Sequence, residues 1–364
     1  MIRRRKLAAA ISAVSLASML FTGIAGGVTS ASAAARPSWC GPKKITLGLT
    51  DGFGGNNWRL VTTASGKAEA KKCPSVTKFL YADGQGNPTK AASDIRAMVS
   101  KGAKAIVVFP DAGKVMLPAL RAAYKKGVVT IPYRVDPSGK AGKDYTIFIP
   151  GDFVTDGKNW GKWVKKNFPN GANYLFLSGP AGNSQGLDER KGFQSILGAG
   201  TGKYKQIGEA PFEVTNWDAA KTQQVLTAAI AKYPKIDVIF SDFGPVMVSS
   251  LGEFAKGGRS IPALATSDGN ILGCYFLDNT KGGANPDFKM MTVATGNDHV
   301  RLAIQQAVAR ATGGVVPKAL KFKAPIFEDS TTSVPRGVQC NRQINDWTFL
   351  SAQMSGPQQQ ALLK

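Results

Sequence analysis

Two stretches of this chain can be laid over one another: AIVVFPDAGKVMLPAL at residues 105–120 and DVIFSDFGPVMVSSL at residues 237–251. Phe109 meets Phe240, Asp111 meets Asp242, Gly113 meets Gly244 and Met116 meets Met247, each pair 131 positions apart (242 minus 111). Further on, TIP at 130–132 meets SIP at 260–262. The repeat implies two similar lobes, each with an aspartate just beyond the carboxyl end of a strand. Strand patterns at 45–50, 76–82, 105–109, 128–132, 145–149, 174–178, 238–241, 263–266 and 290–295 agree with this. Between most of them run helical patterns such as 91–101 and 219–232, with apolar residues three and four apart. Short apolar strands alternating with helices form parallel sheets covered on both faces, the doubly wound α/β class. Ligands bind such sheets beyond the carboxyl ends of the strands, so two facing lobes predict a cleft with Asp111 and Asp242 at its walls.

Residues 1–33 have the layout of a secretory signal peptide: Arg3, Arg4, Arg5 and Lys6, then an apolar run at 7–21, then small residues ending at Ala33. The run is too short for a membrane anchor, and Arg36 to Trp39 are unlike the small apolar residues that precede a lipidated cysteine. The expected product is exported, soluble and periplasmic, by the general or the twin-arginine route. Four cysteines in an oxidising compartment suggest two disulfides. Cys40 precedes one strand and Cys73 the next, at the same edge of a right-handed β-α-β unit, so they are expected to pair, leaving Cys274 with Cys340. Zinc is the alternative reading, but the spacings are wide and the single histidine, His299, has no cysteine near it. No metal or other cofactor is expected.

Basic residues number 46 against 24 acidic, a net charge of +22 that is still roughly +18 without the four leader cations. They stand singly and in pairs, mostly on helical patterns, with no nucleic-acid-binding motif, so nucleic acid is not an expected partner. A solvated basic surface is one reading of the surplus; an anionic ligand is the other.

GNSQG at 182–186 matches the G-x-S-x-G pattern of serine hydrolases, and His299 follows it. A nucleophile elbow places its serine immediately after a strand, whereas here Gly179, Pro180, Ala181 and Gly182 intervene between YLFLS and Asn183. An exported hydrolase using Ser184 and His299 therefore stands as the remote reading, and a helix-capping turn without ligand contact as another.

Taken together, ITLGLTDGFGGNNWR, YADGQGNPTKAASDIRAMVSKGAKAIVVFP, VTIPYRVD, YLFLSGPAGNSQGLDERKGF, TNWDAAKTQQVLTAAIAKYPKIDVIF and ATSDGN, in that order from about residue 43 to 332, resemble the periplasmic substrate-binding proteins of the ribose and galactose type. The resemblance implies the type I fold, two Rossmann-like lobes joined by a three-strand hinge. The N-terminal lobe would hold 43–150 plus 296–325, the C-terminal lobe 151–295 plus 326–340, and 341–364 would be a tail. It implies a monomeric receptor, not an enzyme, that traps a monosaccharide or polyol by hinge closure and delivers it to an ABC permease and its ATPase. Sugars are gripped by aromatic faces and by planar groups that take hydroxyls in pairs. On the family pattern Trp58 and Arg59, with Asn57 beside them, resemble the Trp-Arg pair of furanose binders, and Arg134 the arginine that grips ring oxygen and hydroxyls. Asn183 and Ser184 fall on the closing loop, Trp217 on the second-lobe aromatic wall and Asp268 on a hydroxyl-accepting aspartate. Three positions depart from the pattern: Tyr133 replaces an acid, Glu189 an arginine and Phe243 an asparagine. These departures favour a ligand other than ribose. A sensory receptor of the same fold, or a receptor for a sugar acid or other anion, fits the same residues.

Overall fold

The computed structural model describes residues 36–323 and 325–363; the expected signal peptide lies outside them. The first lobe runs through β1 (Ile45–Asp51), α1 (Asn57–Lys71), β2 (Val76–Asp83), α2 (Pro88–Ser100), β3 (Ala103–Val108), α3 (Leu117–Lys125), β4 (Val129–Arg134) and β5 (Ile149–Pro150). The second follows as α4 (Phe153–Asn167), β6 (Ala172–Ser178), α5 (Ser184–Leu197), β7 (Tyr204–Gln206), β8 (Glu213–Val214), α6 (Ala219–Lys232), β9 (Val238–Ser241), α7 (Val248–Lys256), β10 (Ala263–Ser267), α8 (Asn270–Thr280) and β11 (Met290–Val293). Then α9 (His299–Thr312) returns to the first lobe, β12 (Ile326–Asp329) joins the second sheet, and α10 (Gly356–Gln360) lies in the tail.

The first sheet is parallel throughout, in the order β2-β1-β3-β4-β5. The second has the order β12-β11-β10-β9-β6-β7, with β8 also paired to β6 and only β12 antiparallel. Alternation along the strands explains the layering. In β3, Ala105 and Val107 pack towards α1 and α9, while Ile106 and Val108 pack towards α2 and α3. In β6, Tyr174 and Phe176 join Trp160, Phe193 and Phe240 under α4 and α5, while Leu175 and Leu177 face α6 and α7. The sequence pattern at 145–149 shortens to the two residues of β5, because Lys140 to Tyr145 form turns held by Asp144. The repeat is structural: Gly113–Met116 and Gly244–Met247 are matching 3-10 turns after β3 and β9, each preceded by its aspartate.

The three connections between the lobes run side by side. Phe322 N donates to Pro150 O at 3.2 Å, and Ala294 N donates to Pro325 O at 2.9 Å. Both disulfides are formed, Cys40 with Cys73 across the edge of β1 and α1, with Cα atoms 5.3 Å apart, and Cys274 with Cys340 at 4.7 Å. The tail does not hang free. Cys340 ties its start to α8, and its Phe349 and Met354 are buried in the first-lobe core.

Candidate functional site

The carboxyl ends of both sheets enclose a small cleft. The first lobe lines it with Asn56, Trp58, Arg59, Phe109 and Arg134; the second with Gln185, Trp217, Asp242, Phe243 and Ser267; Thr295 comes from a connection between them.

Asn56 caps α1 by accepting from Arg59 N at 2.9 Å, which sets the two following turns of helix against the cleft. Trp58 is pinned by its Nε1, which donates to Thr295 O at 3.3 Å. The Arg59 guanidinium lies 3.7 Å from the Phe109 ring centroid, with Asp111 Oδ1 at 2.7 Å and Asp51 Oδ1 at 3.2 Å. One cation faces two buried carboxyls, so there is not enough positive charge to keep both ionised. Burial pushes Asp51 up and Asp111 up to about 7, against the pull of Arg59.

Arg134 ends β4 at φ 69°, the left-handed region that few non-glycine residues adopt. Its guanidinium is held between the rings of Trp58, at 4.7 Å, and Phe153, at 5.0 Å, and donates to His299 Nδ1 at 3.2 Å and to Gln185 Oε1 at 3.3 Å. Gly296 permits this: a Cβ there would come within 2.6 Å of both Arg134 and His299. Burial drives the Arg134 pKa down to about 10 and that of His299 well below its usual range, with the neighbouring guanidinium adding to the latter effect. On the opposite wall Trp217 also takes a positive φ, 57°, and its indole lies flat on Gly179, where a Cβ would meet the ring at 2.3 Å. Asp242 accepts from Ser178 Oγ at 2.6 Å, and burial lifts its pKa to about 6.

Trp58, Arg59, Arg134, Trp217 and Asp242 are thus brought together, and the other expected site residues have different partners. Asn57 is the first residue of α1, while the capping Asn56 lines the cleft. Asp111 is engaged by Arg59 and Gly52 N. Asn183 caps α5, accepting from Gln185 N at 2.9 Å, as the helix-capping reading has it. Ser184 Oγ accepts from Asp136 N of the first lobe at 2.8 Å, and its supposed partner His299 is bonded to Arg134 instead. Asp268 is turned away from the cleft: its carboxylate accepts from Thr295 N, Ser351 N and Ser351 Oγ. Gln185, Ser267 and Thr295 were missed because each stands beside a more conspicuous neighbour, Ser184, Asp268 and Gly296. Among the described residues no group of histidine, cysteine and acidic side chains is placed to hold a metal, and every cysteine is in a disulfide.

Residues 49–314 match the family model described as periplasmic binding protein domain. The chain belongs to this family. Periplasmic binding proteins with similar sequences include the ribose import binding protein of Bacillus subtilis, 24% identical over 65% of this chain and 74% of that one. The ribose import binding protein of Escherichia coli is 23% identical over 51% of this chain and 60% of its own. In fold, the chain is similar to the Caulobacter myo-inositol binding protein bound to myo-inositol, with a TM-score of 0.66 at 20% identity over 78% of this chain and 93% of that one. These relatives are substrate-binding proteins rather than enzymes, in keeping with a cleft in which Ser184 and His299 do not meet. Among the described residues no helix is long and apolar enough to cross a membrane.

Proposed function

We propose that this protein is an exported, monomeric receptor of an ABC importer, which closes its lobes over a neutral monosaccharide or polyol and presents the closed form to a membrane permease. The observation that carries this reading is that the aromatic and planar polar groups of both lobes meet around one cleft. Arg134 of the first lobe donates to Gln185 of the second, and the Arg59 guanidinium lies 5.0 Å from the Trp58 ring and 6.0 Å from the Trp217 ring opposite. Aromatic faces take the C–H face of a sugar ring, while guanidinium, amide and carboxylate groups take its hydroxyls in pairs. Ser184 acts in closure: its hydroxyl receives Asp136 N–H from the other lobe. A ligand touching both walls stabilises the closed form by its differential affinity for it.

Both guanidinium groups of the cleft are already engaged within the protein, Arg134 by His299 and Gln185, which supports a neutral ligand over an anion. Arg59 is matched by Asp51 and Asp111, and Arg134 lines a space it shares with Asp156, Glu189 and Asp242. The clustered lysines lie at the surface and outside the cleft: Lys43, Lys44, Lys125, Lys126, Lys165 and Lys166 are all exposed. The test is a thermal-shift screen of the mature protein against pentoses, hexoses, polyols and sugar acids. A ligand at about 100 times its Kd adds roughly 2.7 kcal/mol to stability. The expected result is a raised Tm with a neutral compound, lost in Arg134→Ala and Trp217→Ala. A response confined to anions overturns the reading.

A further inference from the structure

Behind Arg134 the cleft is adjoined by a second, smaller and more enclosed space. Arg134, Gln185, Asp242, Ser267 and Thr295 line both spaces, so the two adjoin at the guanidinium and its Gln185 partner. The inner walls are Phe153, Asp156 and Trp160 on α4 and Glu189 on α5. Trp160 is fully buried, Glu189 is 2% exposed and Asp156 3%. Yet Trp160 Nε1, Glu189 Oε2 and Asp156 Oδ1 have no hydrogen-bond partner among the described residues. Each such atom costs about 1–3 kcal/mol if left unpaired, and native cores contain few of them. Three facing one small space mark it as a place where something is held.

The chemistry of the three atoms selects what that is. An indole N–H only donates, so its partner must accept, and an ammonium has no lone pair to offer it. An anion would bury its charge at a cost, since the one cation lining the space, Arg134, is already hydrogen-bonded to His299 and Gln185. A hydroxyl satisfies both kinds at once, accepting from Trp160 and donating to a carboxyl oxygen. Burial pushes the carboxyls of both Glu189 and Asp156 well up, which lets them donate to a hydroxyl as well as accept from one.

We infer that this inner space is a subsite for an uncharged carbinol arm of the ligand, the exocyclic hydroxymethyl of a sugar or the terminal CH2OH of a polyol, held by Trp160, Asp156 and Glu189. The inference rests on the receptor reading above and names the substrate feature that the site selects.

Isothermal titration of the mature protein with matched pairs tests it: galactose and 6-deoxygalactose, glucose and 6-deoxyglucose, mannose and 6-deoxymannose, with 6-amino-6-deoxygalactose as the cationic variant. For whichever parent sugar binds, the expected loss on removing the arm's hydroxyl is at least about tenfold in affinity. Trp160→Phe keeps the ring packing and removes the N–H. It should narrow the ratio within a pair, because the hydroxyl loses one of its partners while the carboxyls remain. Equal affinity within every pair that binds overturns the subsite and spares the receptor reading; that comparison uses the unaltered protein and does not depend on a variant folding. Tighter binding of the amino sugar than of its parent overturns the choice of a neutral hydroxyl. If no sugar or polyol binds, the receptor reading fails and the subsite fails with it.

Discussion

Arg134 Nη1 donates to Nδ1 of His299 across 3.2 Å, so the only histidine of the chain serves as an acceptor for a buried cation. An arginine keeps its proton, hence the imidazole must be neutral with its own proton on Nε2. Charging it would set two cations side by side away from water. The Phe322 ring, 4.3 Å away, offers no anionic compensation.

The first prediction follows directly. With one imidazole in the protein, nitrogen-15 spectra are unambiguous, and they should show a single Nε2–H tautomer that stays neutral well below the free-histidine value near 6.5. A titration midpoint near 6.5 would mean that Arg134 is not held as described.

Arg59 is shared by Asp51 and Asp111, and this sharing predicts non-additivity. Asp111→Asn leaves one close carboxylate and should cost about 1–2 kcal/mol in urea unfolding. Asp51→Asn should behave similarly. Together they strand a buried guanidinium over Phe109, and the double variant should lose about 3–5 kcal/mol, beyond the sum of the two single losses. Additive losses would show that each aspartate acts alone.

The division between what was readable in the sequence and what was not runs along a physical line. The doubly wound lobes were legible because strand burial imposes a period of two and helix burial one of 3.6, and the repeat of Asp111 and Asp242 aligned the lobes. Trp58, Arg134 and Trp217 were legible by resemblance at strand ends. The fate of Asp268 was not, since its partner Ser351 lies 83 residues away in a tail that carries no strong pattern. Nor was the choice of Gln185 over Ser184: adjacent helical residues point about 100° apart, and only the packing of α5 decides which one faces the cleft.

The buried carboxyls make stability depend on pH with a definite sign. Burial raises Asp111 and Glu328 to about 7 and Asp242 to about 6, so the folded state binds protons that the unfolded chain has released. Their contribution is fully present below about pH 4 and is lost as pH rises through 6 to 7. His299 works in the opposite sense, since its lowered pKa withdraws stability as pH falls below about 6.5, but it is one group against three. The Tm of the ligand-free protein should therefore fall by at least a few degrees between pH 5.5 and 8, roughly 4 °C per kcal/mol or less for a chain of this size. Glu328→Gln should flatten the curve. A Tm that climbs over that interval would mean that Asp111, Asp242 and Glu328 do not hold their protons in the folded state.

The tail supplies the last prediction, because it connects the cleft wall to the first-lobe core without lining the cleft. Phe349 is fully buried and stacks at 6.5 Å on Phe243, a cleft residue of the second lobe; two residues on, Ser351 holds Asp268, and Gln353 N donates to Asp298 at the start of α9. Truncating Phe349 to alanine removes packing worth about 3–5 kcal/mol and also removes the support behind the Phe243 ring. Met354→Ala empties the same core but keeps the Phe349 ring that stacks on Phe243, so it serves as the control for stability. At a temperature where both variants are folded by circular dichroism, Phe349→Ala should bind ligand more weakly than the parent protein and Met354→Ala equally well. Equal affinity in both would reduce the tail to a cover for the core; a loss confined to Phe349→Ala would make it a fourth link between the lobes, one through which the position of the cleft wall depends on the chain's final residues.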